Sequence, residues 1–151
     1  MNRRLSFLIE QSSSAPRTVV YGVLDDVARW SLWMPGVQVA TWEQQGADTA
    51  TGQGAIRTMT ARGITAREQI IVADPPNHQA YIMLSGLPVK GYRADVRIDD
   101  RGAGCVITWS ATFAPKLPAT GHLIRFAMQA SIAKVAAALA REAERTHGIA
   151  V

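Results

Sequence analysis

Cysteine is nearly missing from this sequence: Cys105 is the only one. A lone thiol cannot close an intramolecular disulfide, and it excludes a structural zinc site of the usual multi-cysteine kind. A reducing compartment fits, so the expected location is cytoplasmic. Histidine is also scarce. His78, His122 and His147 are expected on a turn, a helix start and a helix end, which places none of them beside a serine or facing Cys105 as a nucleophile's base. No His and carboxylate cluster has metal-ligand spacing, so neither a metal nor a cofactor is expected. Cys105 reads as a small buried hydrophobe.

Long apolar runs are lacking too. The stretch after Arg3 and Arg4 is only Leu5 to Ile9, broken by Ser6, which is too short for a signal peptide. No segment approaches bilayer length, so no integral membrane segment is expected. Acids are the minority charge, twelve against sixteen Lys and Arg, giving a net charge of +4. That balance raises nucleic acid or anionic lipid as partners. The distribution argues against both: thirteen of the sixteen cations are Arg, scattered from Arg3 to Arg145, with Arg3–Arg4 the only adjacent pair and no basic stripe on any one element. A solvated basic surface is expected, with no nucleic acid bound. The excess of Arg over Lys, with abundant Ala, hints at a GC-rich bacterial genome.

What is present is an ordinary globular composition, 48% hydrophobic and 19% charged, in 151 residues, which suits a single domain over residues 1–151 with a sizeable core. A first strand is expected over Leu5–Gln11, closed by Ser12-Ser13-Ser14. Ser14 before Ala15-Pro16 reads as an N-cap for a short helix carrying Val19, Val20 and Val23. Asp25 or Asp26 would cap a second short helix with Val27, Trp30 and Leu32, stopped by Pro35-Gly36. Six strands follow, over Val37–Gln44, Gly54–Ala61, Ile64–Ala73, Gln79–Ser85, Gly91–Asp99 and Cys105–Ala114, with turn chemistry at Asp74-Pro75-Pro76-Asn77 and Asp99-Asp100-Arg101-Gly102. Beyond Pro118 the apolar period becomes helical through Ile124, Met128, Ile132, Val135 and Leu139, with Thr120 as a cap and Gly148 as the stop.

Strand, two short helices, six strands and one long helix form an α+β order in which the last helix must cover the sheet's apolar face. One helix cannot fill the concave side of a wide, curved sheet of seven strands, so a chamber between sheet and helix is expected.

The segment from Asp25 to Pro35 resembles the D-x-x-x-W-x-x-W-x-P stretch of SRPBCC proteins of the polyketide cyclase/dehydrase and lipid-transport type. Arg67-Glu68, then Asp74-Pro75-Pro76, Tyr81 and Gly104 through Trp109 match that family's strand pattern in order, and the resemblance spans nearly the whole chain. It implies the helix-grip (Bet v 1/START-like) fold: a seven-stranded curved antiparallel sheet wrapped around a long C-terminal helix, with two short helices after strand 1. The superfamily it implies includes lipid carriers, cyclases, hydrolases and stress-response proteins on one scaffold.

Arg62-Gly63 between two β-type runs reads as a two-residue hairpin loop, which fixes the register: Ala61 faces Ile64, Met59 faces Ala66 and Arg57 faces Glu68. Alternation then points Arg57 and Met59 inward with Glu68, Ile70 and Val72, followed by Tyr81, Met83 and Ser85, by Tyr92, Val96 and Ile98, and by Ile107, Trp109 and Phe113. Arg93, Asp95, Arg97 and Asp99 fall outward. Trp42, out of phase with Val37 and Val39, reads as a surface or interface residue. The expected ligand-binding set is Trp33, Arg57, Met59, Glu68, Tyr81, Met83, Val96, Trp109, Phe113 and Met128. The Arg57–Glu68 pair either orients a polar group of the ligand or is structural at the pocket mouth.

Three functions remain open. The first is binding or transport of a lipid-like or polycyclic small molecule. The second is a polyketide cyclase or dehydrase with Glu68 or Tyr81 as acid or base. Its aromatase/cyclase members resemble this chain around Trp30 but carry Ser-x-Arg where Gln69-Ile70-Ile71 stands here. The third is a protein–protein module. The apolar Leu87-Pro88-Val89 loop serves as an entrance in the first reading, or as a homodimer contact.

Overall fold

A computed structural model describes residues 4–149; Arg3, half of the adjacent cationic pair, lies outside them. The chain runs β1 (Leu5–Ser13), α1 (Arg17–Asp25), a 3₁₀ turn (Val27–Arg29) leading into the single-turn α2 (Trp30–Trp33), then β2 (Val37–Gln44), β3 (Ile56–Ala61), β4 (Ile64–Asp74), β5 (His78–Ser85), β6 (Val89–Arg101), β7 (Gly104–Pro115) and α3 (Gly121–Ile149). The sheet order is β1-β7-β6-β5-β4-β3-β2, every pair antiparallel. Six consecutive strands meander, and β1 closes onto the last of them. This is the expected α+β helix-grip architecture.

The alternation in β6 sets the inner face. Tyr92, Ala94, Val96 and Ile98 are buried while Arg93, Arg97 and Asp99 are exposed. Period 2 thus separates core from solvent from Tyr92 to Asp99. The β3–β4 hairpin has the expected geometry: Arg62 at φ 51° and Gly63 at φ 81° form its two-residue turn, and Arg57 pairs with Glu68.

In α3 the core stripe is Val135, Ala136, Leu139, Ala140 and Ala143, and its small side chains let the helix lie close to β1, its main partner, and to β7 and α1. The first turns are different. Leu123 and Phe126 are 72% and 74% exposed, and Ile124, Met128 and Ile132 are only half-buried. By length and composition α3 is apolar enough to cross a bilayer, which corrects the expectation that no segment reaches that measure. Its packing on β1 and β7 makes it the core helix of this fold.

Three β-irregularities overturn local expectations about faces. A register shift between Val37 and Val39 leaves Gln38 unpaired, so Ala40 and Trp42, not Val39, share the inner face with Met59 and Arg57. Trp42 is therefore half-buried against the core rather than a surface residue, and Val39 is exposed. A shift between Ile70 and Val72 turns Val72 outward and Ala73 inward, opposite Gln79. At the other end of that ladder Ser85 pairs with Arg67, on the outer face, and is exposed.

The helix ends also differ from expectation. Pro16, not Ser14, precedes α1, and no side chain caps it; the Ser14 N–H donates instead to Glu144 on α3. Asp26 precedes the 3₁₀ turn without a side-chain cap. Leu32 is exposed, unlike Val27 and Trp30. The Thr120 hydroxyl turns back to the Leu117 carbonyl, and Gly148 lies within α3 rather than ending it.

Candidate functional site

Two neighbouring strands place opposite charges on the inner face. The Arg57 side chain is 1% exposed and that of Glu68 is 7%. The Arg57 Nε–H donates to Glu68 Oε1 at 2.9 Å, and its Nη1 donates to Gln79 Oε1 at 3.0 Å. Its Cζ lies 4.8 Å from the Trp30 ring centroid and 4.5 Å from that of Tyr81. A desolvated guanidinium over aromatic faces is stabilised by their quadrupoles, while its planar fork keeps its donors free for in-plane acceptors.

The network continues outward from Gln79. Its Nε2 reaches Asp25 Oδ1 at 3.5 Å, and Thr51 donates to Asp25 Oδ2 at 2.6 Å. Asp25 ends α1, so the first helix is tied through one polar chain to β5, β3 and β4. On the other flank the Trp109 indole N–H donates to the Tyr81 hydroxyl at 3.3 Å, and the Tyr81 and Tyr92 rings lie 6.2 Å apart. Trp30 donates to the Leu24 carbonyl, which fixes its ring over Arg57. Among the described residues every buried side-chain N or O has a partner.

Burial dominates the proton equilibria here. It pushes the Glu68 carboxyl above the ordinary carboxylate range, against the opposing pull of Arg57. Asp25 is raised for the same reason, with the Thr51 hydroxyl opposing. Tyr21 is pushed up to about 12 by burial and then by the Asp25 carboxylate. Tyr81 and Tyr92 are raised further, first by burial. The phenols thus stay neutral donors, and Glu68 is a carboxyl that gains a proton more readily than an ordinary one. Among the described residues no group of three or more His, Cys, Asp or Glu could hold a metal ion.

Of the residues singled out from the sequence, Arg57, Glu68, Tyr81 and Trp109 form one contiguous cluster. Val96 is fully buried opposite Trp109, and Phe113 is reached from Tyr81 through Tyr92. Met59 and Met83 share the inner face with the pair, Met83 directly opposite Glu68, yet both are only half-buried, as is Met128 on α3. Gln79 and Asp25 were missed. The alternation that points Tyr81 inward also points Gln79 inward, so that signal was available. Asp25 reads from the sequence as a helix cap, and nothing local connects it to Thr51.

Trp33 borders a different concavity. A groove of about 510 Å3 lies between α1, the 3₁₀ turn and the last turns of α3, with Val19, Val23 and Trp33 on its wall. Its charges are internally matched, Arg29 with Asp26 and Arg145 with Glu142. The groove is lined from the helical side, so it is not the chamber expected between sheet and helix.

Comparison with solved structures gives the same fold at low identity. A START superfamily protein from Mycobacterium smegmatis superposes with a TM-score of 0.78 at 13% identity, covering 95% of this chain and 98% of that one. The di-domain ARO/CYC BexL of the BE-7585A biosynthetic pathway gives 0.79 at 16%, over 93% of this chain and 50% of its own. A norcoclaurine synthase from Thalictrum, solved with a transition-state analogue, gives 0.71 at 18%, over 97% and 98%. No curated protein matches the sequence. Identities this low carry the fold alone, whereas the family model described as "Polyketide cyclase / dehydrase and lipid transport" matches residues 6–144 in sequence. The chain belongs to that family.

Proposed function

We propose that the protein binds or carries a lipid-like or polycyclic small molecule on the concave face of the sheet, under the N-terminal half of α3. One observation carries this reading. Trp42, Met59 and Met83 point inward by register but remain half-buried, while α3 packs mainly over β1, at the opposite edge of the sheet. Apolar side chains on an inner face that solvent still reaches form the wall of a cleft open to a ligand. Arg57 and Glu68 lie at its floor, where the ligand's polar end would meet a fixed guanidinium–carboxyl pair. A cytoplasmic location belongs to the same reading, since buried, unpaired Cys105 needs no oxidising compartment.

A second reading, a cyclase or dehydrase, is favoured by one observation: the Glu68 carboxyl and the Tyr81 phenol both contact Arg57 in one desolvated cluster, which brings two acid–base groups together. The two readings separate on turnover by Glu68→Gln.

Native mass spectrometry of the purified protein is expected to show an apolar adduct, and an anilinonaphthalene-sulfonate probe should compete with it. Met59→Trp, which fills the cleft, should weaken probe binding by roughly tenfold or more. Trp33→Ala, in the outer groove, should leave it unchanged. Loss on Trp33→Ala with retention on Met59→Trp would move the site to the groove and overturn the proposal.

A further inference from the structure

The fold sorts charge and exposed apolar groups toward one end of the molecule. The antiparallel meander brings together the β3–β4 hairpin tip, the β5–β6 loop and the β7–α3 connection. The Lys116 N–H donates to the Pro88 carbonyl, and Gly86 packs against the backbone of Thr65 and Ala66. No Asp or Glu occurs at residues 58–67, 82–94 or 110–128, the stretches that build this end. Arg62, Lys90, Lys116 and Arg125 therefore stand there, and none has a carboxylate within ion-pair distance among the described residues.

The same end exposes large apolar side chains. Ile64 at the hairpin tip is 49% exposed, Leu117 in the β7–α3 connection 59%, and Leu123 and Phe126 on the first turns of α3 more than 70%. Single exposed hydrophobes are ordinary, but several at one end among cations without carboxylate partners mark a contact surface. A second copy of this chain is a poor occupant, because a two-fold contact would set the same unopposed cations against each other. An anionic bilayer suits both features: cations meet headgroups while leucine and phenylalanine enter the acyl boundary.

We propose that this end docks reversibly on an anionic membrane surface. The proposal rests on the ligand-binding reading above and adds where the ligand is exchanged. The cleft under the N-terminal half of α3 would open beside that surface, so an apolar molecule could pass between bilayer and protein without crossing water.

Cosedimentation with vesicles of phosphatidylcholine, alone or mixed with phosphatidylglycerol, tests it. Binding is expected only to the anionic vesicles and should fall with added salt. Leu123→Ser with Phe126→Ser should cut partitioning by roughly tenfold, and Arg62→Glu with Lys116→Glu by roughly fivefold for each cation reversed. Circular dichroism melts, unchanged for such exposed positions, confirm that these variants fold. Arg97→Glu with Arg101→Glu, at the far end of β6, should partition like the parent. Absence of anionic-vesicle binding, equal loss in the Arg97/Arg101 variant, or a dimer in sedimentation that dissolves on Phe126→Ser each overturns the docking proposal. Probe binding in vesicle-free solution tells the two readings apart: retained binding in the Leu123/Phe126 variant leaves the cleft standing whether or not docking fails.

Discussion

Arg57 is held by a carboxylate, an amide and two aromatic rings, and each of these depends on a different stretch of chain. Removing one charge of such a buried pair strands the other, so Arg57→Met is expected to cost about 3–5 kcal/mol in urea denaturation. Replacing both, Arg57→Met with Glu68→Leu, should recover most of that, because a packed apolar pair needs no compensating charge. A double variant as unstable as the single would mean that stacking on Trp30 and Tyr81, not charge pairing, is the main contribution. The pH dependence follows from Glu68. Its folded pKa lies above the ordinary value of about 4.3, so the native state takes up the proton more readily than the unfolded chain. That stabilisation is full below the ordinary value and fades as pH rises through the folded one. Relative to Glu68→Gln, the parent should thus lose stability with rising pH across that window; the opposite slope would show that Arg57 outweighs burial. The Arg57–Glu68 facing pair was legible in the sequence because a two-residue loop fixes register by counting. The Gln79–Asp25–Thr51 arm was not, because it joins three segments through tertiary folding alone.

At the scale of elements, seven strands and the terminal helix were legible to within a few residues, since period 2 and the helical period differ over such lengths. Faces were less secure. One unpaired residue, Gln38, reverses the side on which Val39 to Trp42 lie, and nothing in Val37-Gln38-Val39 announces it. Inserting one glycine between Val39 and Ala40 is expected to reverse the phase again, push Trp42 to solvent and lower stability by about 2 kcal/mol or more. Raised Trp42 quenching by acrylamide would report the reversal, and unchanged quenching would refute it. The hairpin turn gives a test of opposite sign. Arg62 sits at φ 51°, where asparagine is better tolerated. Arg62→Asn should stabilise by roughly 0.5–1 kcal/mol in denaturant melts.

For the whole molecule, the question is how a ligand reaches an inner face covered by a helix. The two halves of α3 are packed differently: Val135 to Ala143 contributes six buried positions, while from Leu123 to Ser131 the apolar side chains packed against the core are Ile124 and Met128, both half-buried. Local opening free energy follows the burial of the segment that opens. The two halves should therefore not open together. Native-state hydrogen exchange is expected to show amides of residues 135–143 exchanging only through global unfolding, and those of residues 125–131 through a smaller opening that depends little on denaturant. A bound apolar ligand would add contacts to Met128 and Ile124, so its presence should slow exchange in the first half selectively. Uniform protection along α3, unaltered by ligand, would leave the helix a rigid cover and the cleft beneath it closed.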